Sequence, residues 1–210
     1  MTTLLRSEEH TALRSVELSG TVLDLGGDTR SEYQTLFKGT YTLQTFNNDP
    51  KAMPDILGDL EEPLQIGNAS FDGVLLINVL EHVFEYRRLL SECARVLRAR
   101  GDIVIVVPFL FPYHASPHDF HRYTEEALSR ALTSAGFTDV NIKALGSGVF
   151  AARLTLLERL LPTFLFPFLV IARILARLAD TLFLLLAKVL GKKYTPRDYP
   201  LGYVVTATKG

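Results

Sequence analysis

"FDGVLLINVLEHV", residues 71–83, decides the fold. The run from Gly73 to Ile77 holds no polar side chain and stops at Asn78, too short for a buried helix. A strand apolar on both faces has no side to show to water. It belongs inside a sheet covered on both faces, the setting of parallel sheets.

Two neighbours read the same way. "TVLDL" (21–25) is a short apolar run halted by Gly26-Gly27, and "DIVIVV" (102–107) is closed by Pro108. Between the second pair, "YRRLLSECARVLRAR" (86–100) carries apolar residues at helical spacing and meets Gly101, which predicts a helix ending there. Thr124 predicts the cap of "EEALSRALTSA", with acids in its first turn and Gly136 at its end. "TDVNIKAL" (138–145) and "YVVTAT" (203–208) alternate as half-buried strands do. Toward the N-terminus, 7–18 reads as a polar helix capped by Ser7, 33–37 as a helix, and 39–46 as a strand turning at "NNDP". "DIL" (55–57) is a minimal strand, too soon after its predecessor for a full crossover helix. Strands alternating with helices predict one α/β domain over residues 1–210, with a mainly parallel sheet between helices.

In such a sheet a ligand binds beyond the carboxyl ends of the strands. The positions that matter are Asp24 to Asp28, Gln44 to Asn47, Asp59-Leu60, Asn78 to His82 and the segment after Pro108. The Gly-Gly turn alone decides little, since such pairs are common tight turns. The order of motifs says more: "VLDLGGDTRSEY", "GDLEEPL", "FDGVLLINVLEHV", "LLSECARVLRARGDIVIVVPF", "HRYTEEALSRALTSAGF", then a closing strand.

This series resembles the class I S-adenosylmethionine-dependent methyltransferases, in particular the type-11 group, over about residues 20–148 and 201–208. The resemblance implies a Rossmann-like seven-stranded, mostly parallel sheet with helices on both faces and an antiparallel last strand. It implies an enzyme with S-adenosylmethionine as its cofactor. Matched by position, Asp24, Gly26 and Gly27 fall where the family's first loop approaches the methionine moiety. Asp59 and Leu60 fall where an acid and its apolar neighbour meet the adenine, and Asn78 beside the methionine moiety. Two departures stand out: Asp28 and Arg30 replace further glycines, and the ribose-binding acid is matched by Gln44, a neutral and weaker partner. A pyrophosphate cofactor would need amide-rich glycine turns and would be repelled by Asp28. A cofactor bearing a sulfonium and an ammonium tolerates that charge.

"PFLFPYHASPHDFHRYT" (108–124) gathers His114, His118 and His121 with Asp119, Arg122 and Tyr123. Their spacing would bring three imidazoles to one metal only on a helix, and Pro112 and Pro117 make the segment a loop, so no metal is expected. The segment is similar to the acceptor lid of small methyltransferases of this group. Its candidate bases for a hydroxyl acceptor are His114 and His118, with Asp119 as orienter or alternative base and Arg122 as its ion-pair partner. His82 is expected either against the acceptor or packed under the fifth strand.

Residues 149–198 form an insertion before the last strand. They hold 8 Lys and Arg against 3 acids in a chain whose formal charge is −1. From Arg173 to Lys188 the polar residues fall on one narrow stripe, and most of the helix circumference is apolar. Arg173, Arg177 and Asp180 are too costly for a helix spanning lipid. The expectation is a peripheral contact with a membrane surface, the basic side chains reaching headgroups, and hence a lipid or lipid-linked glycan acceptor methylated at oxygen. The competing readings are a homodimer through the insertion, or a non-catalytic scaffold recruiting a partner through 150–193. Net charge gives no ground for a nucleic-acid partner. A single cysteine excludes a disulfide framework, and "MTTLLRSEEHTALR" lacks the layout of a signal peptide, which predicts a cytoplasmic location peripheral to the membrane.

Overall fold

The computed structural model describes residues 3–28, 31–158 and 160–210. In chain order the elements are α1 (Leu4–Leu13), β1 (Glu17–Leu25), β2 (Lys38–Asn47), β3 (Ile56–Leu57), β4 (Phe71–Ile77), α2 (Tyr86–Val96), β5 (Leu97–Pro108), α3 (Glu125–Ser134), β6 (Phe137–Leu145), α4 (Val149–Glu158), α5 (Phe166–Val189) and β7 (Gly202–Lys209). They build one seven-stranded sheet in the order β3-β2-β1-β4-β5-β7-β6. β7 runs antiparallel to both neighbours and the other pairs are parallel.

The unbroken apolar runs are explained by what covers each face. On β4, Val74 and Leu76 join a core with Leu89, Leu90 and Cys93 of α2 and Leu128 and Leu132 of α3. Leu75 and Ile77 point the other way, into a core with Leu4, Leu5 and Leu13 of α1 and Ala151 and Ala152 of α4. β5 divides alike, with Ile103, Ile105 and Val107 on one side and Val104 and Val106 on the other. A two-residue period with both faces buried leaves no room for a polar position.

Local expectations met local corrections. Thr124 caps α3, its hydroxyl accepting from the Ala127 amide at 3.2 Å. α1 starts earlier than Ser7, capped by Thr3. α2 ends at Val96, because Leu97 already pairs with Phe71 in the sheet. Gly101 therefore lies in an irregular stretch of β5, where an added Cβ would sit 2.9 Å from the Asp72 carbonyl oxygen. Residues 33–37 hold a single 3-10 turn, Glu32–Thr35, and only another, Pro50–Ala52, separates β2 from β3. The crossovers on this flank are abbreviated.

The insertion forms a helical hairpin on the α1 side. Its orientation reverses the expectation drawn from the stripe. Arg173 pairs with Glu158 of α4 at 2.7 Å, Arg177 with Glu8 of α1, and Asp180 is fully buried against the start of α4. There Asp180 accepts from the Ser147 hydroxyl at 2.9 Å and the amides of Phe150 and Ala151 at 2.9 and 3.0 Å. Arg173 and Asp180 of the polar stripe face the domain and Arg177 reaches it from the edge, Thr181 and Lys188 stay exposed, and most apolar side chains of α5 face out. Leu182 and Val189 keep 69% and 82% of their surface, with Ile171, Ile174, Leu175, Leu178 and Leu185 also exposed. Among the described residues no helix is long and apolar enough to cross a membrane.

Candidate cofactor cleft and histidine cluster

β1 ends where Gly26 adopts a φ of +83°. A Cβ there would meet Val79 at 2.5 Å, and one on Gly27 would meet the Asp24 carboxylate at 2.2 Å. The pair is thus required by packing. Its backbone is held from three sides: Gly26 donates to the Phe46 carbonyl at 2.7 Å, and the Asn47 amide donates to the carbonyls of both glycines at 3.1 Å. Beneath, the fully buried Asp24 accepts from the Tyr33 hydroxyl and from Gln34, all at 3.0 Å. Burial, only partly offset by these hydrogen bonds, raises the Asp24 carboxyl to about 6. Asp24 therefore supports the loop from below. Arg30 lies outside the described residues.

Above this loop opens a cleft of about 550 Å³, lined by Gly26 and Asp28 after β1, Asn47 to Asp49 after β2, Asp59 to Glu61 after β3, Asn78, Val79 and His82 after β4, and Ser116 to His118. Of the sequence-predicted cofactor residues, Gly26, Asp59, Leu60 and Asn78 line it. Gln44 does not. β2 continues to Asn47, which leaves Gln44 exposed within the strand, paired in register with Leu23. Asp49, two residues beyond that strand end, lines the cleft. With Asp28, Asp59 and Glu61 it makes the cleft acidic, hostile to phosphates and favourable to a cationic ligand.

The loop after β5 folds over the segment following β4. Phe120 and His121 both donate to the Glu81 carbonyl, at 2.9 and 3.2 Å, and the Tyr123 hydroxyl donates to the Leu80 carbonyl at 2.9 Å. This docking brings His118 to the cleft and leaves His114 and Asp119 behind it. Arg122 grips both Asp119 oxygens, at 2.5 and 2.7 Å, and holds the carboxyl down to about 2. Asp119 also accepts from the His114 amide at 2.9 Å. It orients the loop, and its lowered proton affinity makes it a poor base near neutral pH.

Behind the cleft is a second cavity of about 200 Å³, roofed by Thr3, Leu5, Arg6 and Glu9 of the N-terminal segment and floored by Asn78, His82 and His114. Asn78 holds a left-handed φ of +55°, which asparagine tolerates, and donates to Glu9 at 3.2 Å. Glu9 is buried, which raises its carboxyl. His82 and His114 meet edge to face, ring centres 5.1 Å apart, and both present Nε2 toward the buried Glu81. The Glu81 carboxylate facing His114 raises that imidazole against the opposing effect of burial. Sequence reading missed Glu9 and Glu81. The available signal was an acid within an apolar face: Glu9 shares its helix face with Leu5, Ala12 and Leu13, and Glu81 sits between Leu80 and Val83.

Comparison with known proteins agrees with this geometry. Residues 37–105 match the model of the family described as methyltransferase domain. Over 91 residues the chain is 31% identical to a probable S-adenosylmethionine-dependent methyltransferase of Mycobacterium tuberculosis, covering 40% of this chain and 33% of that protein. The chain thus spans about a third of the length of the curated relatives it matches. A possible histamine N-methyltransferase from Thermotoga maritima shares the fold with a TM-score of 0.60 at 15% identity, over 99% of this chain and 92% of that one. Phosphoethanolamine N-methyltransferase 2 of Haemonchus contortus, solved with phosphomonomethylethanolamine and S-adenosylhomocysteine, gives 0.59 at 14% identity, over 96% and 52%. Residues 37–105 thus resemble a methyltransferase domain, and the chain shares its Rossmann-like fold with solved S-adenosylmethionine-dependent methyltransferases.

Proposed function

We propose that this protein transfers the methyl group of S-adenosylmethionine to a small or lipid-linked acceptor. The observation that carries the reading is the acidic cleft itself, framed by Gly26, Asp28, Asp59, Leu60 and Asn78 at the carboxyl ends of adjacent parallel strands. Its size falls within the roughly 300–1,000 Å³ of small-molecule sites. In this reading Asp28 faces the cationic methionine end, Asp59 and Leu60 the adenine, and Asp49 takes the ribose role that the sequence assigned to Gln44. Asp24 and Gly27 shape the loop. Methyl transfer is an in-line displacement, so orientation and exclusion of water dominate, and the loop carrying Ser116 to His118 closes the cleft for both. His118, at the edge of the cleft, is a group able to take a proton from a hydroxyl acceptor, a role open to His82 and His114 only while their Nε2 atoms are unligated.

The exposed apolar face of α5 supports placing the enzyme on a membrane surface, where a lipid-linked acceptor resides. The same face suits a homodimer, the second reading. Calorimetric titration with S-adenosylmethionine and S-adenosylhomocysteine tests the core of the proposal. Binding should weaken about 10-fold or more in Asp59→Ala, the loss expected of one charged hydrogen bond. Folded protein that binds neither molecule would leave a scaffold.

A further inference from the structure

We infer that Glu81, His82 and His114 form a binding site for a divalent first-row metal ion. The Glu81 carboxylate is completely buried, and among the described residues neither of its oxygens has a hydrogen-bond partner. Buried carboxylates are almost always paired, so an orphan of this kind needs a reason. Its nearest neighbours are His82 Nε2 and His114 Nε2, at 3.7 and 3.8 Å from Oε1, too far for hydrogen bonds. One ligand atom from each of the three residues lies within 4.8 Å of the others. An ion about 2.1 Å from Oε1 and from an Nε2 would bridge the 3.7 and 3.8 Å separations at an angle of about 125°.

The other ring nitrogen of His82 is set as a metal-binding histidine requires. His82 Nδ1 lies 2.5 Å from the His118 carbonyl oxygen, which only accepts, so Nδ1 carries the hydrogen and the Nε2 lone pair faces Glu81. His114 Nδ1 lies 3.2 Å from the Pro112 carbonyl oxygen and 3.5 Å from Asp119 Oδ2, with the Arg122 Nη2 donor at 3.4 Å, a mixed surround that leaves either nitrogen free to carry the hydrogen. A backbone carbonyl holding Nδ1–H is the usual way a protein fixes the orientation of an imidazole ligand. Two imidazoles and one carboxylate suit Zn²⁺, Fe²⁺ or Co²⁺ better than the hard all-oxygen ions.

His82 borders both the cofactor cleft and the smaller cavity beneath α1, and His114 borders the latter. The remaining coordination positions therefore open where an acceptor oxygen would reach the ion, which would favour its deprotonated form. That role rests on the proposed methyl transfer. The site itself does not, and the test is run without cofactor. Purified protein stripped with chelator is titrated with Co²⁺, followed by visible absorption, and with Zn²⁺ by calorimetry. One equivalent should bind with the absorption of an imidazole-ligated ion. Glu81→Gln and His114→Ala, each shown folded by circular dichroism, should lose far more than the roughly 10–100-fold that outer contacts cost. His118→Ala should retain binding, since only its backbone carbonyl touches the site. No stoichiometric binding by folded wild-type protein overturns the proposal, as does binding that survives Glu81→Gln and His114→Ala.

Discussion

Asp180 and Glu81 are the same kind of group in the same degree of burial, yet their surroundings are opposite. Asp180 accepts three hydrogen bonds from Ser147, Phe150 and Ala151, and its charge faces the amides that open α4. Glu81 has two histidine nitrogens just out of reach and, among the described residues, no hydrogen-bond donor. A buried charge whose bonds are complete is architecture: it fixes how α5 lies on α4. A buried charge left open stores an unfavourable desolvation that a ligand can relieve. The two ends of the molecule divide accordingly, with stability at the hairpin and chemistry behind the cleft.

The largest effect should come from Asp180→Ala. It strips the start of α4 of its acceptor and leaves buried amide donors unmatched, which together should cost about 3 kcal/mol. Urea unfolding read by circular dichroism measures it. A loss below about 1 kcal/mol would mean that the hairpin is held by its apolar contacts alone and that the contrast with Glu81 is empty.

Asp24 tests the comparison from a third buried acid, one with partial compensation. Its folded-state carboxyl, near 6, lies above the ordinary 3.8, so folding binds a proton between those values. Stability should therefore be greater below pH 4 and fall as pH rises through 6, by about 3 kcal/mol at 1.36 kcal/mol per unit. Other carboxylates titrate in the opposite sense, Asp119 among them, so the difference between wild type and Asp24→Asn is the quantity to follow. That difference should shift in favour of the variant between pH 4 and 7. A pH-independent difference would show that Tyr33 and Gln34 compensate the charge fully.

Much of this architecture was legible because its signals are local. The β4 run, the Gly-Gly stop after β1, the Thr124 cap and the closing strand each depend on residues adjacent in the chain. What sequence reading misplaced depends on pairing at a distance. Gln44 looked like the end of β2, but the strand persists until Asn47 meets Leu57 of β3 and its side chain reaches the glycine carbonyls. The stripe on α5 was visible; which way it faced was not, because its partners Glu158 and Glu8 lie 15 and 169 residues away. The Glu81 cluster draws on two separate segments, and the loop prolines that argued against a metal concerned only the histidines within one of them.

Glu81→Gln should do to stability almost the reverse of Asp180→Ala. It removes an uncompensated charge and supplies an amide donor for one of the bare imidazole nitrogens, so stability without metal should change by less than about 1 kcal/mol, and upward. Unfolding in the presence of chelator measures this. A loss comparable to that of Asp180→Ala would make Glu81 a structural acid after all.

The smallest effect on stability and a large one on location should come from Leu178→Glu combined with Leu182→Glu. Both side chains are exposed on the outward face of α5 and touch no part of the buried stripe, so the folded domain should lose no more than about 0.5 kcal/mol per site. The membrane proposal makes them the contact: two carboxylates would have to enter the apolar layer of a vesicle. Co-sedimentation with anionic lipid vesicles should be strong for the wild type and absent for the double variant, whose melting temperature should stay nearly unchanged. Loss of self-association in sedimentation velocity, with vesicle binding absent from both proteins, would assign the same face to a second copy of the chain. Vesicle binding that survives the double variant would sever the link between this face of α5 and the membrane.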